Sequence, residues 1–583
     1  MFVYEVAAAR SIKRHIRLGW RIRLLILIIG DLLIGCGWAG ECRAGPLPSI
    51  SALSTEGMAP FTVHVHGLAS TLDAGNTLTA RFEWYFGDDG ADGNDLVGWN
   101  AAHTYDSPGT YTVRLRITDE NGARAAQTMQ VIVQPANRTV VYVSPDGNDD
   151  NPGALDAPIR TVHRAQQMLG DNVAIRFRRG ATYSVPDSLV INSRNVLVGA
   201  YGVGTTPVLR GQSAATVAGI ITTYGNSENV VIERLRFDTP AVTPTNANIR
   251  GIRPSGRNVT IRRCDFDDVS YAINSEFGVQ GLMVSDNTSN LLGAYFVWGV
   301  GSDHVYVRNS VRGSVQEHNI RLGGVSRALI AGNDLTNTVK TTIWAMLGND
   351  VYIAGNTLHR GRMIIGPDYL SGEPGDRLRR CVAEGNLVLQ EGVILYAGAE
   401  HVMLRNNIID YDGGEAISVW GWYEPMQRAA RDINLLHNTA INRSFFNGAF
   451  LRIGEDAKHV TALNNLYCAP HLNGTGVGAN VHSNDHNLQS HYFHGNLWAT
   501  PAQGDSCHVL SNGGVPAWKW DAFGQTDAEL YRAFADDDLD SAYQPLFPAI
   551  VATHPAGVQV DFFGHRRPPG GHLTLGAIEM RSN

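Results

Sequence analysis

The sequence predicts an all-β protein in which a small β-sandwich precedes a long parallel β-solenoid. Glycine makes up 63 of the 583 residues and only 17% of residues are charged, a composition that suits turn-rich β structure. Short period-2 strands separated by turn residues fill residues 46–136. From about residue 138, a short β-branched strand with an asparagine near its end recurs every 21 to 31 residues, which indicates a solenoid.

Charge and cysteine content exclude two other classes of protein. The formal net charge is -8, so we expect no nucleic-acid partner. Six cysteines in a chain of this length are too few for a disulfide-dense scaffold. Lysine is rare, because Lys13, Lys340, Lys458 and Lys519 are the only four. A lysine near a site is therefore an exception in an arginine-rich chain.

Residues 1–45 predict an export signal. A basic stretch is followed by the apolar segment Leu24–Ile34, which is too short to span a bilayer. Two processing routes stay open: cleavage after Cys42–Ala44, or lipidation of Cys36, since Leu33–Cys36 resembles a bacterial lipobox. The lipid would be the sole membrane attachment. We expect the mature protein to be secreted, periplasmic or on the cell surface.

The first folded domain, residues 46–136, carries four characteristic phrases: Trp84–Gly90, His103–Tyr105, Ser107–Tyr111 and Asp119–Gly122. These resemble the PKD-type Ig-like domain. The resemblance implies a seven-stranded sandwich that serves as a spacer or as a glycan- or protein-contacting module, without catalysis. Since the repeat is complete without it, we expect the solenoid to stay folded when residues 46–135 are deleted.

The solenoid contains a column of asparagines. Asparagine stands five residues after seven of the ten strand starts, at Asn287, Asn333, Asn356, Asn386, Asn407, Asn438 and Asn465. Stacked asparagines can adopt left-handed backbone geometry in a tight corner and hydrogen-bond to the coils on either side. We interpret them as corner residues and expect no ligand on them.

Residues 138–583 resemble right-handed parallel β-helix proteins of the pectate-lyase type. The resemblance rests on Val141–Asp149, on a helix-like stretch over Thr161–Leu169, and on a closing segment that includes Asp561–Gly564 and Leu575–Glu579. It implies a right-handed parallel β-helix with an N-terminal cap and a C-terminal closing segment. We expect a monomer.

Aligning the 23-residue coils predicts an outward-facing column of Trp298, Arg321 and Trp344. The flanking residues are apolar and should point inward, so alternation turns these three outward. Aromatic rings suit stacking on sugars, and arginine suits a carboxylate or sulfate. The alternative is an arginine packed between aromatics for stability.

A second predicted cluster lies beside the column and consists of His318, Lys340 and Arg362. Their offsets from adjacent coil starts bring them together. A lysine beside two cations loses its proton more easily, which suits a general base. Such a trio fits proton abstraction next to a uronic-acid carboxylate. A solvated basic patch that only binds anions is the alternative.

Lys340 and Arg362 are similar in spacing to the lysine and arginine of β-helix lyases of the alginate lyase and chondroitinase B type. That resemblance implies β-elimination, with Lys340 as base. Those enzymes also bind calcium through an Asn and closely spaced Glu residues. Here Asn333 and Asp334 occur without Glu-x-Glu, so calcium stays open and the metal is unknown.

Further along, the aromatic residues Trp420, Trp422 and Tyr423 fall in a long coil and could wall a substrate groove or pack on the solenoid. Cys468 and Cys507 could pair after export. The leading hypothesis is a secreted lyase acting on an anionic uronic-acid polysaccharide. The alternatives are a non-catalytic glycan-binding surface protein and a C5-epimerase on the same substrates, in which His318 and Arg321 would be the counterparts of the His and Arg that mannuronan epimerases of this fold use.

Overall fold

A computed structural model describes residues 45–511, except 213–218, 240–248, 277, 338, 369–372, 374, 424–426, 445–446, 470–476, 484–489, 495 and 500–508. The predicted export signal with Cys36, the partner Cys507 and the closing segment lie outside the described residues. Within the described part, no helix has the length and apolar character needed to cross a membrane.

The amino-terminal domain is a β-sandwich of two sheets. One sheet contains Ser51–Ala52, Phe61–His66 and Asn100–Tyr105. The other contains, in spatial order, Glu56–Met58, Arg124–Gln134, Gly109–Thr118, Arg81–Tyr85 and Asp95–Val97. Trp84 from the predicted WxFGD phrase is buried between the sheets, and its indole nitrogen donates to the carbonyl of Gly98 at 2.9 Å.

The rest of the described chain winds into a parallel β-helix with three faces. Sheet C has 13 strands, more than the ten strand starts recognised in the sequence. Its strands are Thr182–Val185, Val208–Gly211, Arg236–Asp238, Asp265–Phe266, Thr288–Ser289, Ser310–Arg312, Asp334–Thr336, Thr357–His359, Leu387–Leu389, Ile408–Tyr411, Thr439–Asn442, Leu466–Cys468 and Leu497–Ala499.

The other two faces, sheets A and B, are joined in mid-solenoid. Three long strands, Leu292–Val307, Ile320–Ala331 and Thr341–Ala354, run from sheet B into sheet A. The remaining strands of sheet A are Thr139–Val143, Val173–Arg178, Leu197–Tyr201, Glu228–Glu233, Gly256–Arg262, Val279–Ser285, Leu378–Glu384, Ala399–Arg405, Arg431–Leu436, Lys458–Leu463 and Tyr492–His494. Those of sheet B are Leu189–Ile191, Ile221–Thr223, Arg250–Arg253, Val269–Asn274, Arg362–Ile365, Val393–Leu395, Glu415–Val419, Asn447–Ile453, Val477–Ser483 and Val509–Ser511.

A short helix lies at the start of the solenoid, where the sequence predicts one. It spans Val162–Gln167, and the side chain of Thr161 caps it by accepting from the backbone N–H of Arg164. Val162 and Ala165 are buried in the solenoid core. The helix therefore closes the end of the apolar interior, as predicted.

The asparagine column forms as predicted and continues through two more residues, Asn309 and Asn496. From Asn287 to Asn465, each Nδ2 donates to the Oδ1 of the next asparagine and to a carbonyl of the preceding coil, as in Asn333, which reaches Asn356 Oδ1 and Tyr306 O, both at 2.9 Å. The sequence pattern takes Val305 as a strand start, and Asn309 stands four residues after it. The residue that pairs with the next strand start, Ala328, is His304, and Asn309 stands five residues after His304.

The left-handed backbone geometry belongs to the residue before the asparagine wherever that residue is described. Asp286, Arg308, Asn406 and Asn464 have φ between 53° and 58°. The predicted reason for the column is therefore half correct. The asparagines supply hydrogen bonds to neighbouring coils, while the preceding residue makes the turn.

The sandwich packs its apolar surface on the outer face of sheet A. Outward side chains of sheet A join the sandwich core, among them Met283, Leu329 and Tyr352. Polar contacts cross the junction, including Thr62 Oγ1 to Thr260 Oγ1 at 2.6 Å. The sequence expectation of an independent module does not anticipate this packing, because the two domains share one buried cluster.

Candidate functional site

Sheet B carries the predicted column on its outer face. Trp298 pairs with Arg321, and Arg321 pairs with Trp344, in consecutive coils. The flanking Ile320 and Ile343 are buried in the solenoid core. The alternation inferred from the sequence is therefore confirmed. The column lies on sheet B, whereas the sandwich packs on sheet A.

Arg321 is held between two indole rings. Its guanidinium carbon lies 4.9 Å from the ring centroid of Trp298 and 4.5 Å from that of Trp344. One nitrogen donates to the hydroxyl of Tyr295 at 3.0 Å, and another contacts Met346 Sδ at 3.1 Å. Among the described residues no carboxylate lies within 4 Å of this guanidinium. The aromatic rings fix its position and leave its charge uncompensated.

His318 is buried against the column. Its ring centroid lies 4.8 Å from Trp344 and 5.9 Å from Tyr295. Nε2 lies 3.4 Å from Glu317 Oε2, a distance that suggests an ion pair. Burial, with the positive charges of Arg321 and Lys340, lowers the pKa of His318 to about 3. The imidazole is therefore neutral at physiological pH, and the contact with Glu317 is not an ion pair.

Lys340 and Arg362 lie in consecutive coils, as the spacing predicts, but their charged groups turn in opposite directions. Lys340 Nζ reaches back to Glu317 Oε2 at 2.8 Å, and Arg362 Nη2 reaches forward to Glu391 Oε2 at 2.9 Å. Lys340 is thus paired with an anion and not surrounded by cations alone. The crowding of cations acts on His318 instead. The role of Lys340 as base stays a prediction.

The turn that carries Lys340 is organised by the fully buried Asn337. Its Oδ1 accepts from the backbone N–H groups of Val339 and Lys340, at 2.9 and 3.1 Å. Its Nδ2 donates to the carbonyl of Glu317 at 2.7 Å. One asparagine therefore fixes both members of the Lys340–Glu317 pair, which sequence spacing did not reveal.

Two further tyrosines extend the aromatic cluster around Arg321 and were missed from the sequence; two rings of this cluster, Tyr295 and Trp344, are buried, at 3% and 5% exposure. Tyr271 stacks on Tyr295 at 5.3 Å, and Tyr295 lies edge-on to Trp298 at 5.1 Å. Burial raises the pKa of Tyr295 to about 12, so its hydroxyl stays protonated. Tyr295 stands three residues before Trp298, where strict alternation puts it on the other face. Phe296 and Val297, the two residues between them, both point into the solenoid core, so the strand does not alternate strictly here.

The predicted aromatic loop contributes one residue to this cluster. Trp420 lies edge-on to Tyr396 at 4.8 Å, and Tyr396 in turn lies 6.4 Å from Trp344. Trp422 is 48% exposed, and the backbone of Tyr423 pairs with Arg428 in a small bridge. Trp420 therefore continues the strip of aromatics, whereas Trp422 and Tyr423 stand on the loop that follows.

Asn333 and Asp334, the two residues that stand where a calcium ligand would be expected, have other partners. Asn333 belongs to the buried asparagine column, and Asp334 lies 3.2 Å from His359. Within the described residues, no group of three or more His, Cys, Asp and Glu side chains is placed to hold a metal.

Two hollows flank the domains. One of about 310 Å³ lies between the sandwich and sheet A, where Arg262 and Arg308 engage aspartates. The other, of about 440 Å³, lies against Leu347, next to the column, and is lined by Arg377 and Arg379. We place the site on the column and in neither hollow, because both hollows are lined by arginines that are already paired, in the second Arg379 with Glu400 and Arg380 with Asp350.

Comparison with known proteins identifies one domain. Residues 48–133 match the PKD domain family. No curated protein matches the sequence.

Solved structures with a similar fold include XylC in complex with xylose (9% identity, 76% of this chain and 98% of that one, TM-score 0.38). They also include the mannuronan C-5 epimerase AlgE6 A-module of Azotobacter vinelandii (15% identity, 66% and 93%, TM-score 0.34). A third is the polysaccharide lyase Pedsa3628 of Pseudopedobacter saltans (13% identity, 64% and 94%, TM-score 0.30). Such distant likenesses carry no argument about activity. The protein is a parallel β-helix that bears an amino-terminal PKD domain.

Proposed function

We propose that the protein is an exported enzyme that binds an anionic uronic-acid polysaccharide along the outer face of sheet B and cleaves it by β-elimination. The observation that carries this proposal is Arg321, whose guanidinium is fixed between Trp298 and Trp344 without a carboxylate partner among the described residues. The partly exposed ring of Trp298 can stack on a sugar, and a guanidinium can bind a uronate carboxylate with two hydrogen bonds.

The chemistry requires three events. The uronate carboxylate must be neutralised, the C5 proton must pass to a base, and the C4–O bond must break as the leaving oxygen gains a proton. Arg321 would neutralise the carboxylate. Lys340 would take the C5 proton. His318, which lies beside the same Glu317 carboxylate as Lys340, is the alternative base.

Binding of the substrate would also change the electrostatics of the site. A carboxylate on Arg321 would offset one of the positive charges that lower the pKa of His318. The imidazole would then accept a proton more readily than it does in the unliganded protein. Substrate binding and proton transfer would thus be coupled through Arg321.

The test is incubation with a panel of polymannuronate, polyguluronate, polygalacturonate and glycosaminoglycans, followed by ultraviolet absorbance of unsaturated uronate. We expect a rise with at least one polymer. Unchanged absorbance with an altered ratio of C5 epimers would indicate an epimerase and contradict cleavage. Binding without either change would indicate a glycan-binding protein, for which the pairing of Lys340 and Arg362 with glutamates is the favouring observation.

A further inference from the structure

Four charged side chains form a column along consecutive coils at the edge of sheet B. In chain order they are Glu317, Lys340, Arg362 and Glu391. Strand pairing places Ile320 beside Ile343, Thr341 beside Arg362, and Met363 beside Val393. The order of charge along the solenoid axis is therefore negative, positive, positive, negative.

Each cation of this column already holds a carboxylate. Lys340 contacts Glu317 at 2.8 Å, and Arg362 contacts Glu391 at 2.9 Å. All four side chains are between 30% and 45% exposed. Exposed ion pairs of this kind are weak, because water and salt screen them. An anion that approaches from solvent can therefore compete with either glutamate.

Arg321 differs from these two cations, since in the described structure it is held by rings and hydrogen bonds and not by a carboxylate. It lies one coil before Lys340, and Lys340 lies one coil before Arg362. Lys340 and Arg362 are thus one coil apart, about 4.8 Å along the axis, whereas Arg321 pairs with Trp344 and is offset by four residues along the chain from the position beside Lys340. Only Arg321 is ready to bind an anion without displacing a glutamate.

We infer that Glu317 and Glu391 are specificity-determining residues that occupy Lys340 and Arg362 until a polyuronate displaces them. This inference rests on the proposed function and narrows its substrate class to polymers with carboxylates on consecutive sugars. A glycan with a single carboxylate binds Arg321 and gains little further binding free energy from Lys340 and Arg362. A polyuronate engages Arg321 and then displaces both glutamates, which leaves Arg362 for a second carboxylate and releases Lys340 from its ion pair for its proposed role as base.

Isothermal titration calorimetry at low salt tests this with two kinds of probe. The first is a set of uronate hexamers, of mannuronate, guluronate and galacturonate. The second is a length-matched neutral oligosaccharide with one glucuronate. Wild-type protein should bind at least one hexamer tightly and the single-carboxylate probe at least ten-fold more weakly. Equal affinity for both kinds of probe would overturn the inference even if no variant were made.

The variants Glu317→Gln and Glu391→Gln remove the competing carboxylates while keeping side-chain shape. Each should strengthen hexamer binding about two- to five-fold, the range for releasing one exposed ion pair. Glu228→Gln is the matched control, because Glu228 and Arg257 form a similarly exposed pair at 3.1 Å on sheet A. It should leave binding unchanged.

Weaker or unchanged hexamer binding in both glutamine variants would overturn the inference, since the glutamates would then contact substrate or play no part. Failure of wild-type protein to bind any uronate probe would overturn the proposed function itself. The two failures are thus distinguishable.

Discussion

The guanidinium of Arg321 lies 4.5 Å from the ring centroid of Trp344, and the two residues sit side by side in adjacent coils of sheet B. A planar cation stacked on an aromatic ring keeps its charge while losing most of its conformational freedom. The stacking holds a positive charge at a fixed position beside aromatic rings. The proposed site is built around it.

Replacement of Lys340 separates catalysis from binding. Lys340→Arg keeps the positive charge but cannot lose its proton near neutral pH. We expect elimination to fall by at least 100-fold while polyuronate binding changes less than about three-fold. Arg362→Ala should weaken both binding and turnover. Initial rates of absorbance change, with calorimetric binding on the same samples, check this. Undiminished turnover in Lys340→Arg would exclude it as the base and leave His318 as the candidate.

Loss of one asparagine from the column should destabilise the β-helix. Asn356 donates to Ile330 O and to Asn386 Oδ1, and its own Oδ1 accepts from the backbone N–H of Asn333. Asn356→Ala leaves buried backbone groups unpaired, and we expect a loss of about 2–4 kcal/mol in the free energy of unfolding. Urea denaturation measures it, with exposed Asn290→Ala as control. A loss no larger than that of the control would show that the column is dispensable.

The PKD domain should be required for a stable β-helix, contrary to the expectation from the repeat alone. Arg405 of sheet A is buried, donates to Glu384 at 2.6 Å and to Tyr352, and also reaches the carbonyls of Leu78 and Thr79 in the sandwich.

Arg405→Ala leaves Glu384 with one fewer partner in a buried position. We expect a cost of about 3–5 kcal/mol and a lower thermal midpoint, whereas the exposed Arg312→Ala should have little effect. Deletion of residues 46–135 should uncover the apolar side chains of sheet A and cause aggregation. A soluble truncated chain with an unchanged midpoint would contradict this account.

Acid should loosen the junction between the two domains. His64 is buried at the junction, and neither ring nitrogen has a hydrogen-bond partner among the residues that the structure describes; burial lowers its pKa to about 4. His304, which faces it, also has a pKa of about 4 because of burial, while Asp303 opposes both shifts. The folded state therefore resists protonation of both rings.

Since the pKa of each histidine is lower in the folded than in the unfolded protein, its contribution to stability is complete above about pH 6.5 and is lost as the pH falls through about 4. Each shift corresponds to a loss on the order of 3 kcal/mol. Thermal midpoints between pH 7.5 and 4 should fall less steeply for His64→Gln than for wild-type protein or the exposed His163→Gln. An equal fall of the thermal midpoint with pH in all three proteins would contradict the assignment of the acid sensitivity to His64.

Much of the fold follows from periodicity, because a repeat that returns every coil fixes which residues become neighbours. That logic places Trp298, Arg321 and Trp344 correctly. It cannot predict which rotamer a flexible cation adopts, so the turn of Lys340 toward Glu317 was not foreseen. It also cannot show what covers an outer face. The outward Leu329 and Tyr352 make their two strands apolar on both sides in sheet A. Such a pattern is typical of strands buried on both faces and was the available sequence signal for the docked sandwich.

The central claim is that Arg321 makes the outer face of sheet B a site for uronate polymers, and one binding measurement tests it most directly. Wild-type protein, Arg321→Lys and Arg321→Ala are titrated with the polyuronate that binds wild type best, at fixed salt. We expect affinity to fall about 10- to 100-fold in Arg321→Ala, the effect of losing a hydrogen-bonded ion pair, and several-fold in Arg321→Lys, which cannot stack and bind with two hydrogen bonds. Equal affinity in all three proteins would contradict the account.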